Sequence, residues 1–218
     1  KSPEPDLHAL FMATLTLTRM AEGGLFDHVA GGFYRYSVDA DWMIPHFEKM
    51  LYDNGALLAS YAGATVATGE ALFARTAAQT ATWLLADMQS PEGGFYSSRD
   101  ADSEGHEGRY YVWTREAIES ALTSGEFAAF APRYGLDREA NFEDGWHLRV
   151  TRGIEEIAVS LGTTRDAVGA QIDAARAKLL ARREQRIPPA RDEKLLTSWN
   201  AIAIRGLARV RSAADLER

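Results

Sequence analysis

From Asn54 to Gly69 the chain carries no charged residue. Read as a helix over 48–68, this stretch places Leu51, Leu58 and Ala62 on one side and Leu57, Tyr61 and Ala64 on another, leaving no face suited to water. Such a helix has to be covered nearly all round, so the rest of the chain must supply its neighbours. Helical periodicity does so. Leu7, Leu10, Phe11, Thr14, Leu17 and Ala21 predict a helix over about 5–22, ended by Gly23-Gly24. Phe73, Ala77, Ala81, Leu84 and Met88 predict another, ending near Ser90-Pro91. Val168, Ile172, Ala175 and Leu179 mark a helix over 164–187, closed by Pro188-Pro189. Its other face, with Arg165, Asp166, Gln171, Asp173, Arg176 and Lys178, belongs in water. Trp199, Ile202, Ala203, Leu207 and Val210 mark the last helix, capped by Thr197 or Ser198. The expected layering has helix 48–68 inside and helix 164–187 outside.

Strand signals are short. Gly94–Ser97 and Arg109–Trp113 flank a polar stretch and predict a hairpin, and Trp146–Val150 reads as a further strand. Nothing resembles a phosphate-cradling glycine loop or a βαβ alternation. A Gly-Gly-apolar-aromatic pattern occurs three times, at Gly23–Phe26, Gly31–Tyr34 and Gly93–Tyr96. The first and third lie 70 residues apart and each follow a predicted helix, which places both loops at the same end of a stack of helical hairpins.

Composition narrows the function. There are 31 acidic against 24 basic residues, a net charge of −7 that opposes binding to nucleic acid or to an anionic membrane surface. No cysteine is present, so thiol redox chemistry and thiolate metal sites are excluded. No apolar run reaches the ~20 residues of a membrane span, and a cytoplasmic location is expected. The chain opens at Lys1, which suggests trimming from a longer parent.

Chemistry-bearing residues gather in three segments. Asp27–Asn54 holds two histidines, carboxylates and several aromatics just ahead of the most apolar helix. Rings beside carboxylates and amides suit sugars, whose C–H faces stack while their hydroxyls hydrogen-bond. A helix starting near Pro45 would put His46, Met50 and Asp53 on one face and Glu48 and Tyr52 on another. His46 is the favoured proton carrier; Glu48 serves equally as a first-turn carboxylate, and Lys49 with Asp53 reads as a surface ion pair. In the second segment, Asp100, Asp102, Glu104 and Gly105 match the opening of a calcium loop, but Tyr111 stands where the bidentate Glu belongs. Asp100 and Asp102 are then either solvated or turned inward as acid, base or sugar-hydroxyl ligands. The third segment is Asp192–Asn200.

These same segments carry a resemblance. Phe33–Asp39 with Trp42 and Pro45–Asn54, then Gly93–Glu104 with Glu107–Trp113, then Asp192–Asn200, resemble in order the motifs of the thioredoxin-domain-containing family that includes the spermatogenesis-associated proteins. The resemblance implies an (α/α)₆ barrel similar to N-acylglucosamine 2-epimerases and six-hairpin glycosidases, preceded in full-length members by a thioredoxin-like domain. The chain then corresponds to roughly a third of such a protein at usual domain sizes.

The expected fold is therefore all-α, a partial (α/α)₆ toroid of helical hairpins with small β excursions on one rim, spanning 1–218. The expected function is carbohydrate-directed epimerase, isomerase or glycosidase-like chemistry, with His46, Glu48, Asp100 and Asp102 as catalytic candidates. Tyr34, Arg35, Trp42, Asp53, Asn54, Trp113, Trp199 and Asn200 are the candidates for binding substrate. No cofactor or metal is expected; a sugar and the remainder of the parent polypeptide, including its thioredoxin-like domain, are the expected partners. The alternative is a non-catalytic barrel that binds a ligand or partner. An open arc of the barrel should also leave the surface around Leu57, Leu58 and Tyr61 exposed.

Overall fold

The computed structural model describes residue 4 and residues 6–216, with side chains to residue 210. Among them are eight α-helices and seven two-residue strands. Helix α1 (Leu7–Glu22) is followed by β1 (Tyr36–Ser37), β2 (Pro45–His46), β3 (Lys49–Met50), α2 (Leu51–Thr68) and α3 (Ala71–Trp83). Helix α3 continues as a wider π-turn over Leu84–Met88. Then come β4 (Ser98–Arg99), β5 (Asp102–Ser103), β6 (His106–Glu107), α4 (Arg115–Glu119), α5 (Ser124–Tyr134), α6 (Ile154–Leu161), α7 (Arg165–Arg183), β7 (Arg191–Asp192) and α8 (Thr197–Leu216). No described helix is long and apolar enough to cross a membrane.

Two apolar cores share the work. One joins α1, α2, α3 and α8 through Leu51, Leu58, Tyr61, Phe73, Leu84 and Ala203. The other joins α4–α7 through Ile118, Phe130, Ile157, Val168, Ile172 and Leu179. A small aromatic cluster of Tyr34, Phe47 and Tyr111 lies in a third. Helices α2 and α8 run side by side in the same direction, since Tyr52 meets Trp199, Gly55 meets Ala203, and Gly206 meets Gly55 and Leu58. A Cβ on Gly55 would come within 2.8 Å of Ala203 Cα, so the close approach depends on glycine.

Helix α2 starts at Leu51, three residues after the expected Glu48, and the helical start considered near Pro45 does not form. Residues 45–50 are extended, and β3 pairs with β4, which pairs in turn with β7. This three-stranded sheet ties the entry of α2, the loop after α3 and the entry of α8 together. His46 consequently sits on a strand paired with Tyr36, not on a helix face with Met50 and Asp53. The hairpin expected from 94–97 and 109–113 does not form. Phe95 bridges Gln89, Trp113 bridges Trp146, and the local hairpin is β5–β6 inside the intervening loop. The Trp146–Val150 strand reduces to that single bridge.

The loop repeat has a matched anchor. Asn54 Oδ1 accepts from Phe33 N at 2.6 Å, while its amide donates to Phe33 O and Met50 O. Asn200 Oδ1 accepts from Phe95 N at 2.7 Å, and its amide donates to Phe95 O and Leu196 O. Because α2 and α8 are parallel, Phe33 and Phe95 lie at the same end. Phe26 bridges Phe33, so the first loop lies there too.

The layering agrees with expectation in part. Helix α7 buries the single row Val168, Ile172, Ala175, Leu179 and Arg183. Helix α2 buries eight residues, but Ala56, Ser60, Gly63 and Ala67 form an exposed row; it is not covered all round. Leu58 and Tyr61, expected at an open edge, are fully buried, with the Tyr61 hydroxyl donating to Leu17 O. The first turns of α1 are more open than their periodicity predicts, with Leu7 and Phe11 exposed, because α1 docks through its last turns around Leu17, Met20 and Ala21.

Candidate functional site

At the end where β1, β2 and the first turn of α2 meet, a polar network reaches the surface. His46 lies between two carboxylates, with Nε2 3.1 Å from Glu48 Oε2 and Nδ1 2.7 Å from Glu107 Oε1. A doubly protonated ring donates to both, and a neutral ring to one. Arg35 Nη1 donates to the same Glu48 oxygen at 2.7 Å. Tyr36 stacks on His46, with ring centroids 5.1 Å apart, which fixes the imidazole plane. Glu107 is itself placed by accepting from Phe47 N.

Asp53, in the first turn of α2, is half-buried, and its Oδ2 has no hydrogen-bond partner. Burial pushes its carboxyl up to about 6, against the opposing pull of Arg35. Arg35 is held charged by Glu48 and by neighbouring Tyr52. Tyr52 in turn meets the edge of Trp199, at 4.7 Å, across the α2–α8 seam. The structure therefore brings Arg35, His46, Glu48, Asp53 and Trp199 toward one region, joined by Tyr36, Tyr52 and Glu107.

The other candidates fall elsewhere. Asp100 is exposed and accepts from Ala101 N, and Asp102 is exposed on β5; its cross-strand partner Glu107 is the carboxylate that reaches His46. Residues 102–107 form the tight β5–β6 hairpin, and no group of three or more metal-ligating side chains occurs among the described residues. Tyr34 is buried between Phe47, Tyr111 and His147. Trp113 is a core residue, with the Arg186 guanidinium 3.9 Å from its ring. Trp42 sits in a turn organised by Asp39, beside Arg19 and Arg149. Asn54 and Asn200 are consumed by the backbone contacts described above.

A buried charge cluster was not expected. Lys49, expected to be a surface partner of Asp53, is 1% exposed. Its Nζ donates to Asp27 Oδ2 at 2.7 Å and to Gly31 O at 2.9 Å, within 4.9–5.4 Å of the rings of Trp83, Tyr34 and Tyr111. Arg183, at the end of α7, makes a two-pronged contact with Asp27 at 3.0 and 2.8 Å. Asp27 also accepts from Val29 N and Ala30 N. Despite its burial, Asp27 is held far below the usual carboxylate range by Arg183 and Lys49. Burial pushes Lys49 down to about 8. One signal was available: Arg183 follows Leu179 by four residues, on the apolar row of α7.

Two further histidines are structural. His28 Nε2 donates to Gly23 O at 2.9 Å and His147 Nε2 to Gly24 O at 2.7 Å, together satisfying the turn that ends α1. Burial pushes them down to about 3 and about 4.

The chain is 34% identical over 95% of its length to spermatogenesis-associated protein 20 of Mus musculus, and 33% identical over 90% to the Homo sapiens protein of that name. It resembles one segment of that protein. An uncharacterized protein of Caenorhabditis elegans is 31% identical over 95% of the chain. The chain spans less than a third of the length of each of these relatives, at 29%, 28% and 32%. No protein-family model matches it.

Proposed function

We propose that the chain is part of a protein of the spermatogenesis-associated protein 20 family, and that its parallel helices belong to an (α/α)₆ barrel carrying a sugar-directed acid–base site. The carrying observation is His46 held between Glu48 and Glu107, beside Arg35 and the half-buried Asp53. Asp53, its carboxyl pushed up to about 6 by burial, is able to hold and return a proton near neutral pH, and the His46 ring stands beside it as the second proton-handling group. Arg35 supplies a fixed positive charge for a developing oxyanion. Tyr36, Tyr52 and Trp199 offer ring surface to a pyranose. Proton abstraction beside a sugar carbonyl, with return of the proton, is the reaction that uses all of these; the rest of the barrel and a thioredoxin-like domain complete the parent polypeptide, in the cytoplasm.

The test is incubation of the full-length parent with a panel of aldoses and N-acylhexosamines in D₂O, following deuterium incorporation at C2 by NMR. His46→Gln and Asp53→Asn should each lower exchange by about 10²–10⁴-fold, while Glu107→Gln, which only orients the ring, should lower it less. Saturable sugar binding without exchange would support a non-catalytic binding barrel instead. Absence of both binding and exchange would refute the sugar reading.

A further inference from the structure

A cavity of about 150 Å³, lined by none of the residues of the His46 network, lies between the end of α3, the end of α7 and the Tyr110–Tyr111 segment. Lys49, Arg99 and Arg183 line it. Arg99 is matched by Asp87, on which it makes a two-pronged contact. Lys49 and Arg183 share Asp27, whose two oxygens already take five donors. Two buried cations thus face one buried carboxylate, leaving a positive charge in a low-dielectric setting where an uncompensated ion is costly. A second, separate observation points the same way. Arg183 is 3% exposed, yet its Nε–H has no hydrogen-bond acceptor among the described residues. Buried donors of this kind are rare and call for an acceptor. The remaining walls are largely apolar, led by Trp83, Tyr110 and Tyr111.

We infer that this cavity is a binding site for a small organic carboxylate, its oxygens accepting from Arg183 Nε–H and the Lys49 ammonium and its apolar body lying against the rings. A cavity of this size takes a body about as large as benzene. The site is independent of the sugar reading, since it uses none of the residues of the His46 network. Glu184, exposed at the margin of the cavity, is the one lining carboxylate without a cation partner among the described contacts. Its repulsion is screened by salt.

The experiment is saturation-transfer NMR on the full-length protein with benzoate and butanoate, using benzamide as the neutral isostere and inorganic phosphate as the alternative anion. Benzoate should bind at about millimolar concentration or tighter, and benzamide and phosphate much more weakly. Arg183→Lys keeps a cation for Asp27 but removes the Nε–H, so binding should weaken about ten- to hundredfold. Ala86→Phe fills the cavity from its exposed side and should abolish binding without touching the charge cluster; it guards against a misfolded Arg183 variant. Glu184→Gln should leave affinity equal or improve it at low salt. Benzamide binding as well as benzoate, phosphate displacing benzoate, binding that survives Ala86→Phe, or no carboxylate binding at all would each overturn the inference.

Discussion

Asp27→Asn keeps the shape of the side chain and removes the negative charge shared by Lys49 and Arg183. Among the described residues no other carboxylate contacts either cation, so the variant buries two positive charges facing a neutral amide. Breaking a buried pair by removing one partner costs about 3–5 kcal/mol, and with two cations stranded the cost should lie toward the upper end. Against a total stability of about 5–15 kcal/mol, that leaves a marginal fold. Lys49→Met is the informative contrast. It leaves Asp27 with the two-pronged Arg183 contact and both backbone donors, and places a thioether among the rings of Tyr34, Trp83 and Tyr111. The main loss is the donor to Gly31 O, worth about 1 kcal/mol. The double variant strands one cation instead of two, so it should be more stable than Asp27→Asn alone. Urea unfolding at neutral pH, followed by tryptophan fluorescence and compared at equal m, reads these differences directly. Lys49→Met costing as much as Asp27→Asn, or additive effects in the double variant, would refute the charge argument.

Three further outcomes follow from the geometry. Below pH 6.5 an unfolded chain takes up protons that buried His28 and His147 refuse down to about 3 and about 4; stability should therefore fall with acidification by about 1.4 kcal/mol per pH unit for each histidine, and His147→Gln should make the urea midpoint less sensitive between pH 6.5 and 4.5. Asn54→Ala orphans the buried N–H and C=O of Phe33 and should cost about 2–5 kcal/mol in chemical denaturation, more than Asn200→Ala at its less buried position. Gly63, exposed in mid-helix with open space around its Cβ position, should gain about 0.5–1 kcal/mol on replacement by Ala, whereas Gly55→Ala should lose about 1–3 kcal/mol to overpacking; opposite shifts in melting temperature check both.

Local pattern was informative where local pattern decides structure. The apolar rows of α1, α7 and α8 announced those helices, and the Gly-Gly-aromatic repeat announced the shared end. It failed where distant pairing decides. Pro45–Met50 is extended because β2 pairs with β1, and β3 pairs with β4, which also binds β7; no window around residue 45 contains the β4 or β7 partners. Helices α4–α6 have only five, eleven and eight residues, too few turns for an apolar row to stand out from its surroundings, although Thr123 and Glu126 do form the reciprocal cap their spacing allows. The site was half legible. His46, Glu48 and Arg35 are close in sequence and meet in space, but Glu107 arrives from a hairpin 61 residues beyond His46. Lys49 misled because a lysine next to a carboxylate in sequence ordinarily reads as solvated, and only the tertiary fold brings it Asp27.

The paired asparagines have a consequence for how this architecture tolerates change. Each one bolts a loop phenylalanine to the first turn of its helix, so both helices are measured from the same datum plane. Tyr52, Asp53 and Trp199 sit within two residues of those bolts. Their heights are therefore insulated from whatever happens at the opposite end, where α2 runs out at Thr68 and an exposed, left-handed Gly69. An extra turn spliced in there lengthens the rod without moving its tip, whereas a single residue inserted between Asn54 and Asp53 rotates the tip by about 100° and dismantles the surface that Arg35 and His46 complete.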